Sequence, residues 1–239
     1  MTINSTNPTD YRYKSKNSRY LAPKHKELAK RAFEQERRIQ KYYAFQSKIY
    51  DATRWSFLFG RKAILQQFPY TSKDNFSLLE VGCGTGYNLR NIAQTYPNAR
   101  LMGVDVSKKM IELTNKKMAK QKLSVQLLNI PYTDATQREL KNRPQIILFS
   151  YALTMINPHW MDLILQAKKD LTAIGYIAVV DFHHSPFTWF RKHMQSHHVR
   201  MEGHILPFLR DNFEPLYDSV DKAYGGLWEY FTFVGKLVD

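Results

Sequence analysis

Glu80, Gly82, Gly84, Gly86 and Asp105 are the residues whose types and spacing promise chemistry. From Leu78 to Asn88 an apolar run carrying one acid, Glu80, meets three glycines at alternate positions, with Cys83 and Thr85 between them, before a helical stretch opens at Tyr87. Glycine has no Cβ, so such a loop turns sharply and lets a ligand lie against bare main chain. Asp105 ends the next apolar run, 19 residues beyond Gly86. A carboxylate there is placed to accept hydrogen bonds from both hydroxyls of a ribose. The spacing separates this loop from dinucleotide sites. Those use G-x-G-x-x-G to bring a pyrophosphate onto a helix N-terminus, whereas this chain has G-x-G-x-G.

To hold the loop and the acid side by side, the chain needs adjacent parallel strands. After a turn at 72–77, short apolar runs at 77–81, 100–104, 125–129, 145–150 and 175–181 alternate with amphipathic stretches at 87–96, 108–120 and 158–170. That alternation is the signature of a parallel sheet covered on both faces. Ser107 stands where a helix N-cap is wanted, and Met110, Ile111, Thr114 and Met118 then fall on one helical face. Further on, 185–212 reads as mainly helical, Gly225 and Gly226 mark a turn, and 230–237 alternates like a strand returning to the sheet. The expected fold class is α/β, a Rossmann-like, mostly parallel sheet with a late antiparallel hairpin and helices on both faces. No internal repeat is visible.

The N-terminal part has a different composition. Residues 1–41 hold eleven Lys or Arg against four acids, half of the formal net charge of +14. The polar stretch 2–17 has the composition of a mobile segment, and 24–43 has helical spacing. A second, aromatic-rich helical stretch is expected over 45–68, broken near Gly60 and stopped by Pro69. The division expected is a basic arm at 1–41, an aromatic cap at 42–70 and a main domain at 71–239.

Hydrophobic residues make up 44% and charged residues 23% of the 239, which supplies a core and excludes wholesale disorder. No apolar run approaches the roughly 20 residues of a spanning helix, and the polar start does not read as a secretory signal. Cys83 is the single cysteine, so an intramolecular disulfide and a cysteine-built zinc site are excluded, in keeping with a reducing cytoplasm. The basic balance points to an anionic partner: nucleic acid, an anionic membrane surface or an acidic metabolite.

The loop resembles motif I of the class I methyltransferases that use S-adenosylmethionine (SAM), and Gly103-Val104-Asp105-Val106-Ser107 resembles their next motif. The resemblance implies a seven-stranded sheet and SAM as cofactor. Gly82, Cys83, Gly84 and Gly86 would line its methionine and ribose, Glu80 would help hold the amino-acid end, Asp105 with Val106 the ribose, and Asn129 would lie near the adenine. Ser150 and Tyr151 would face the transferring methyl. The block Tyr50-Asp51-Ala52-Thr53-Arg54, followed by Gly60-Arg61, is similar to the cap of the betaine-lipid N-methyltransferases, which act on diacylglyceryl-homoserine. Val180-Asp181-Phe182 and Trp189-Phe190-Arg191 fit that resemblance too. The acceptor it implies is an amine, in a small molecule or a lipid headgroup.

In that setting Arg54 or Arg61 can pair with the SAM carboxylate, and aromatic faces tolerate its positive sulfur. Tyr43, Tyr50 and Tyr151 are candidates for a cage around an amine becoming a quaternary ammonium. An ammonium acceptor must first lose a proton, and His183 or His184 is placed after the fifth strand to take it. His193 and His197 share helical spacing, but with no nearby cysteine and Glu202 as the only close carboxylate no metal is expected. The aromatic and basic residues of 186–192 have the pattern of a membrane-interface segment. The expected placement is cytoplasmic, with peripheral contact to an anionic inner membrane face. No stable nucleic-acid partner is expected, because the charge concentrates in a polar arm rather than among base-stacking aromatics. The alternatives are a small-molecule N- or O-methyltransferase, an RNA methyltransferase, and a non-catalytic membrane or RNA adaptor.

Overall fold

The computed structural model describes residues 57–134, 136–140 and 142–238. The arm 1–41 and cap residues 42–56, with Tyr43, Tyr50 and Arg54, lie outside the described residues. Seven strands form one sheet: β1 (Ser77–Val81), β2 (Arg100–Val104), β3 (Val125–Leu128), β4 (Ile146–Ser150), β5 (Tyr176–Phe182), β6 (Phe213–Ala223) and β7 (Trp228–Leu237). Their spatial order is β3-β2-β1-β4-β5-β7-β6. The first five are parallel, while β7 runs antiparallel to both β5 and β6. The helices are α1 (Tyr87–Thr95), α2 (Lys108–Lys120), the single-turn α3 (Thr136–Glu139), α4 (Trp160–Asp170), α5 (Thr188–Ser196) and α6 (Ile205–Asn212).

The pattern of burial explains the layering. All five residues of β1 are buried, as a central parallel strand requires when both faces are covered. Leu78, Leu148, Ala178 and Val180 share a cluster on one face, and Leu79, Ile147, Phe149, Ile177 and Val179 share the cluster on the other. Burying each such side chain contributes roughly 1.5–3 kcal/mol. The chain order reverses at β1, which has β2 on one side and β4 on the other. In open α/β sheets that is where a crevice forms beyond the carboxyl ends of the strands.

Several expectations shift. The stretch 57–68 is not helical on both sides of Gly60: turns lead into a four-residue 3-10 helix, Ile64–Gln67. Gly60 adopts φ +75, and a Cβ there would stand 2.8 Å from the Tyr230 ring, so the chain turns tightly over β7 instead of continuing a helix. The expected helical region 185–212 is two helices, with Gly203 between them backed against His183. The 11-residue strand β6 has no strand signature in the sequence. It is one edge of the sheet, mostly exposed or half-buried, with Pro215 at a register shift, and its polar residues hide the strand pattern. Among the described residues no helix is long and apolar enough to cross a membrane.

Candidate active site

The glycine loop leaves β1 with Gly82, Gly84 and Gly86 all in the left-handed region, at φ +71, +53 and +74. Such angles cost side-chain-bearing residues strain. The Gly82 and Cys83 N–H groups both donate to the Val104 carbonyl at the end of β2, at 2.9 and 3.1 Å. Asp105 braces the loop from its neighbour strand: Oδ2 accepts from the Gly84 N–H and Oδ1 from the Ser107 N–H, each at 2.8 Å. From below, the Thr114 hydroxyl on α2 donates to the Gly84 carbonyl at 2.8 Å. The Gly84 residue is therefore held on both sides. A Cβ on Gly86 would fall 2.5 Å from Thr114 Cγ2, so only glycine allows this close approach.

A carboxylate offers about four lone-pair sites, and the two backbone donors leave Asp105 with capacity to accept from two more. Burial pushes its carboxyl above the ordinary range, against the pull of those two N–H groups. Val106 follows, half-buried. Asn129 stands just past β3, its Nδ2 donating to the Asp105 carbonyl at 2.9 Å.

A cavity of about 260 Å³ opens over the loop, lined among others by Arg61, Glu80, Gly82, Cys83, Gly84, Gly86, Asn88, Arg90 and Ser150. Glu80 is only 2% exposed. Its Oε1 accepts from Asn88 Nδ2 at 2.7 Å, while Oε2 has no partner. Burial raises its carboxyl to about 8, opposed by the Asn88 hydrogen bond and the Arg61 charge. Asn88 Oδ1, Arg90 Nε and Ser150 Oγ are buried and unpartnered as well. Buried polar atoms are normally hydrogen-bonded, and these four, three acceptors and the Arg90 Nε donor, all belong to residues of the cavity wall. Arg61 lies with its guanidinium 3.9 Å above the Tyr87 ring and its Nε donating to the Leu58 carbonyl. Cys83 lines the cavity while its buried thiol packs toward Gly103, and desolvation pushes it well above the usual thiol range.

The structure thus brings together Glu80, Gly82, Cys83, Gly84, Gly86, Arg61 and Ser150 at one cavity, with Asp105 bracing the same loop. Tyr151 is placed otherwise. Its ring is buried against Phe182, and its hydroxyl donates to the Phe59 carbonyl at 2.8 Å. It sits at φ +54, an uncommon conformation for a side-chain-bearing residue, and anchors the Phe59 segment on β5. His183 does not line the cavity. It ends beside Phe231, on the sheet face of Val179 rather than that of Leu78 and Val180, and burial lowers its ring below the usual histidine range. The rings of His193, on α5, and His197, its C-cap, meet at 4.8 Å. Among the described residues no cluster of three His, Cys, Asp or Glu gathers to hold a metal.

Asn88, Arg90 and Thr114 were not singled out as site residues from sequence. For Thr114 a signal existed: a hydroxyl on the otherwise apolar face of Met110, Ile111 and Met118 must find a partner when buried.

Residues 78–175 match the family model described as a methyltransferase domain. Among curated proteins the chain is similar to an uncharacterized protein of Rickettsia prowazekii, at 30% identity over 46% of this chain and 43% of that one. It is also similar to a malonyl-[acyl-carrier protein] O-methyltransferase of Acetivibrio thermocellus, at 26% identity over 63% of this chain and 51% of that one. The alignments span about half the length of these curated relatives. The crystal structure of Burkholderia thailandensis 1,6-didemethyltoxoflavin-N1-methyltransferase, with bound 1,6-didemethyltoxoflavin and S-adenosylhomocysteine, superposes with a TM-score of 0.61 at 15% identity over 92% of each chain. That likeness establishes the fold.

Proposed function

We propose that this protein is a SAM-dependent methyltransferase whose acceptor is an amine, in a small molecule or a lipid headgroup. The observation that carries the reading is the buried Glu80 carboxylate, a residue of the cavity wall over a clamped glycine loop, whose Oε2 has no hydrogen-bond partner. SAM, when bound, supplies a methyl group on a positively charged sulfur. The residues present fit it. Glu80 would take the ammonium of the amino-acid end, Arg61 would pair with the carboxylate, and Asp105 would accept from the ribose hydroxyls with its remaining lone pairs. Asn129, tied to Asp105, is the adenine-side candidate. Ser150 offers a free hydroxyl at the end of β4. The protein's contribution to rate is alignment: held in line, acceptor and methyl react with much of the entropy cost already met.

The cavity also bears on the acceptor. Among the described residues lining it, none is a histidine, Tyr151 has its hydroxyl committed to Phe59, and His183 stands elsewhere. That favours a nucleophile that arrives with a free lone pair. A neutral amine would meet this requirement, since its lone pair needs no base to free it and its surplus proton can leave to water afterwards. A carboxylate oxygen meets it too, and the likeness to a malonyl-[acyl-carrier protein] O-methyltransferase favours a small-molecule oxygen acceptor as the second reading.

Titrating the full chain with S-adenosylhomocysteine in a calorimeter tests the cofactor, and absence of binding overturns the methyltransferase reading. Incubation of the protein and labelled SAM with a membrane extract and a metabolite extract tests the acceptor. Label in a chloroform-soluble amine supports the lipid reading. Label in a water-soluble amine assigns a small-molecule acceptor, label on a carboxylate oxygen moves the function to the second reading, and label in RNA replaces both.

A further inference from the structure

We infer that the α5 face carrying Phe187 and Trp189 is a docking surface for an anionic lipid bilayer. This goes beyond methyl transfer and stands without it. Helix α5 is two-sided. Phe190 and Met194 are buried, and the Phe190 ring stacks on the buried Trp228 at 5.4 Å, which fixes how the helix lies on the sheet. On the opposite side Trp189, Lys192, His193 and Ser196 follow at helical spacing, all exposed. Trp189 is 62% exposed and Phe187, just ahead of the helix, 44%, with their rings 6.4 Å apart. An exposed tryptophan beside an exposed phenylalanine leaves apolar area in water, which a surface without a partner seldom retains.

Charge names the partner. The twenty residues 182–201, between Asp181 and Glu202, contain no Asp or Glu, but include Arg191, Lys192, Arg200 and five histidines. Arg200 pairs with Glu202. Arg191 donates to the Ser185 carbonyl and the Thr188 hydroxyl while keeping its charge, and the exposed Lys192 lies one turn from Trp189. Aromatic rings that sink to headgroup level, with cations that meet lipid phosphates, are the two halves of interfacial binding. The chain's charge of +14 adds long-range attraction to the same surface. A base-stacking surface is the weaker fit, because the Trp189 ring meets Phe190 edge-on at 84° and tilts against Phe187 at 46°, rather than lying parallel with it as successive platforms.

The test is sedimentation of the full chain with vesicles of phosphatidylcholine, with and without phosphatidylglycerol. Binding is expected only to the anionic vesicles, and to weaken in high salt. Replacing both rings in F187S/W189S should lower partitioning at least about tenfold, and Lys192→Glu by less, with the melting temperature unchanged because the side chains are exposed. Brominated lipids should quench tryptophan emission in the parent and not in Trp189→Phe; this check does not depend on the double variant folding. Three results would overturn the inference: no sedimentation with anionic vesicles, F187S/W189S binding as well as the parent, or an RNA oligonucleotide that displaces the vesicles and loses its own binding in F187S/W189S. S-adenosylhomocysteine affinity, measured alongside, reports on the methyltransferase reading separately.

Discussion

Glu80 and Asp181 are two fully buried carboxylates near the carboxyl ends of strands in one sheet, yet they are built for different ends. Asp181 on β5 accepts from the Thr154 hydroxyl at 2.5 Å, the Thr154 N–H at 3.2 Å and the Phe182 N–H at 2.8 Å. It ties the segment after β4 to β5 and leaves no oxygen idle. Glu80 on β1 accepts from the Asn88 side chain, with weaker help from the Leu89 main chain, and its Oε2 has no close partner. Burial raises both, Asp181 to about 6 and Glu80 to about 8. Burial is common to the two, so what separates a binding carboxylate from a structural one is how many of its lone pairs the fold itself fills. On that criterion the rim over β1 and β2 has the makings of a binding site, while the rim over β5 is internally satisfied.

Asp105→Ala is expected to have the largest effect. It removes the brace on Gly84 and the remaining acceptors at once, so S-adenosylhomocysteine affinity should fall at least about a hundredfold by calorimetry. Unchanged affinity would break the comparison by showing that the β1–β2 rim is structural. Asp181→Ala should do the converse. It strands the Thr154 and Phe182 donors and should cost about 3 kcal/mol in denaturant unfolding, with affinity altered by no more than a few-fold.

Glu80→Gln sharpens the contrast through pH. A carboxyl raised in the folded state is protonated there while the unfolded chain is already ionised, so its contribution to stability is lost as pH rises from about 4.5 to about 8. Without ligand, Glu80→Gln should therefore melt higher than the parent at pH 8 and nearly level with it at pH 4. A ligand ammonium favours the ionised Glu80, so parent affinity should climb as pH rises toward 8. In the variant that climb should vanish and affinity at pH 8 should be roughly tenfold weaker. A pH-independent parent affinity would mean that Oε2 does not meet the ligand.

The parts legible in the sequence were those set by local signals. β1, β2 and α2 fall on the expected residues, because continuous buried apolar runs and the Ser107 cap, whose side chain accepts from the Met110 N–H, are written in adjacent positions. The glycine loop and Asp105 were legible for the same reason. Features made by tertiary contact were not. β6 takes its strand character from pairing with β7, Tyr151 has its hydroxyl drawn off by a residue 92 positions away, and Asn88 meets Glu80 only because α1 folds back over β1.

Thr114 offers the finest test of what the β1–β2 rim requires. Its hydroxyl holds the Gly84 carbonyl and its methyl lies against Gly86, so hydrogen bonding and packing are separable. Thr114→Val keeps the shape and removes the donor, leaving a loop carbonyl short of a partner. Thr114→Ser keeps the donor and removes the methyl. If the rim works by presenting a fixed main chain, the valine variant should bind S-adenosylhomocysteine about three- to tenfold more weakly, the worth of roughly one hydrogen bond. The serine variant should stay near the parent in affinity while losing some stability to the small void. The reverse order would mean that α2 supports the loop by packing alone, and that the Asp105 carboxylate is the only polar brace on Gly84 that binding requires.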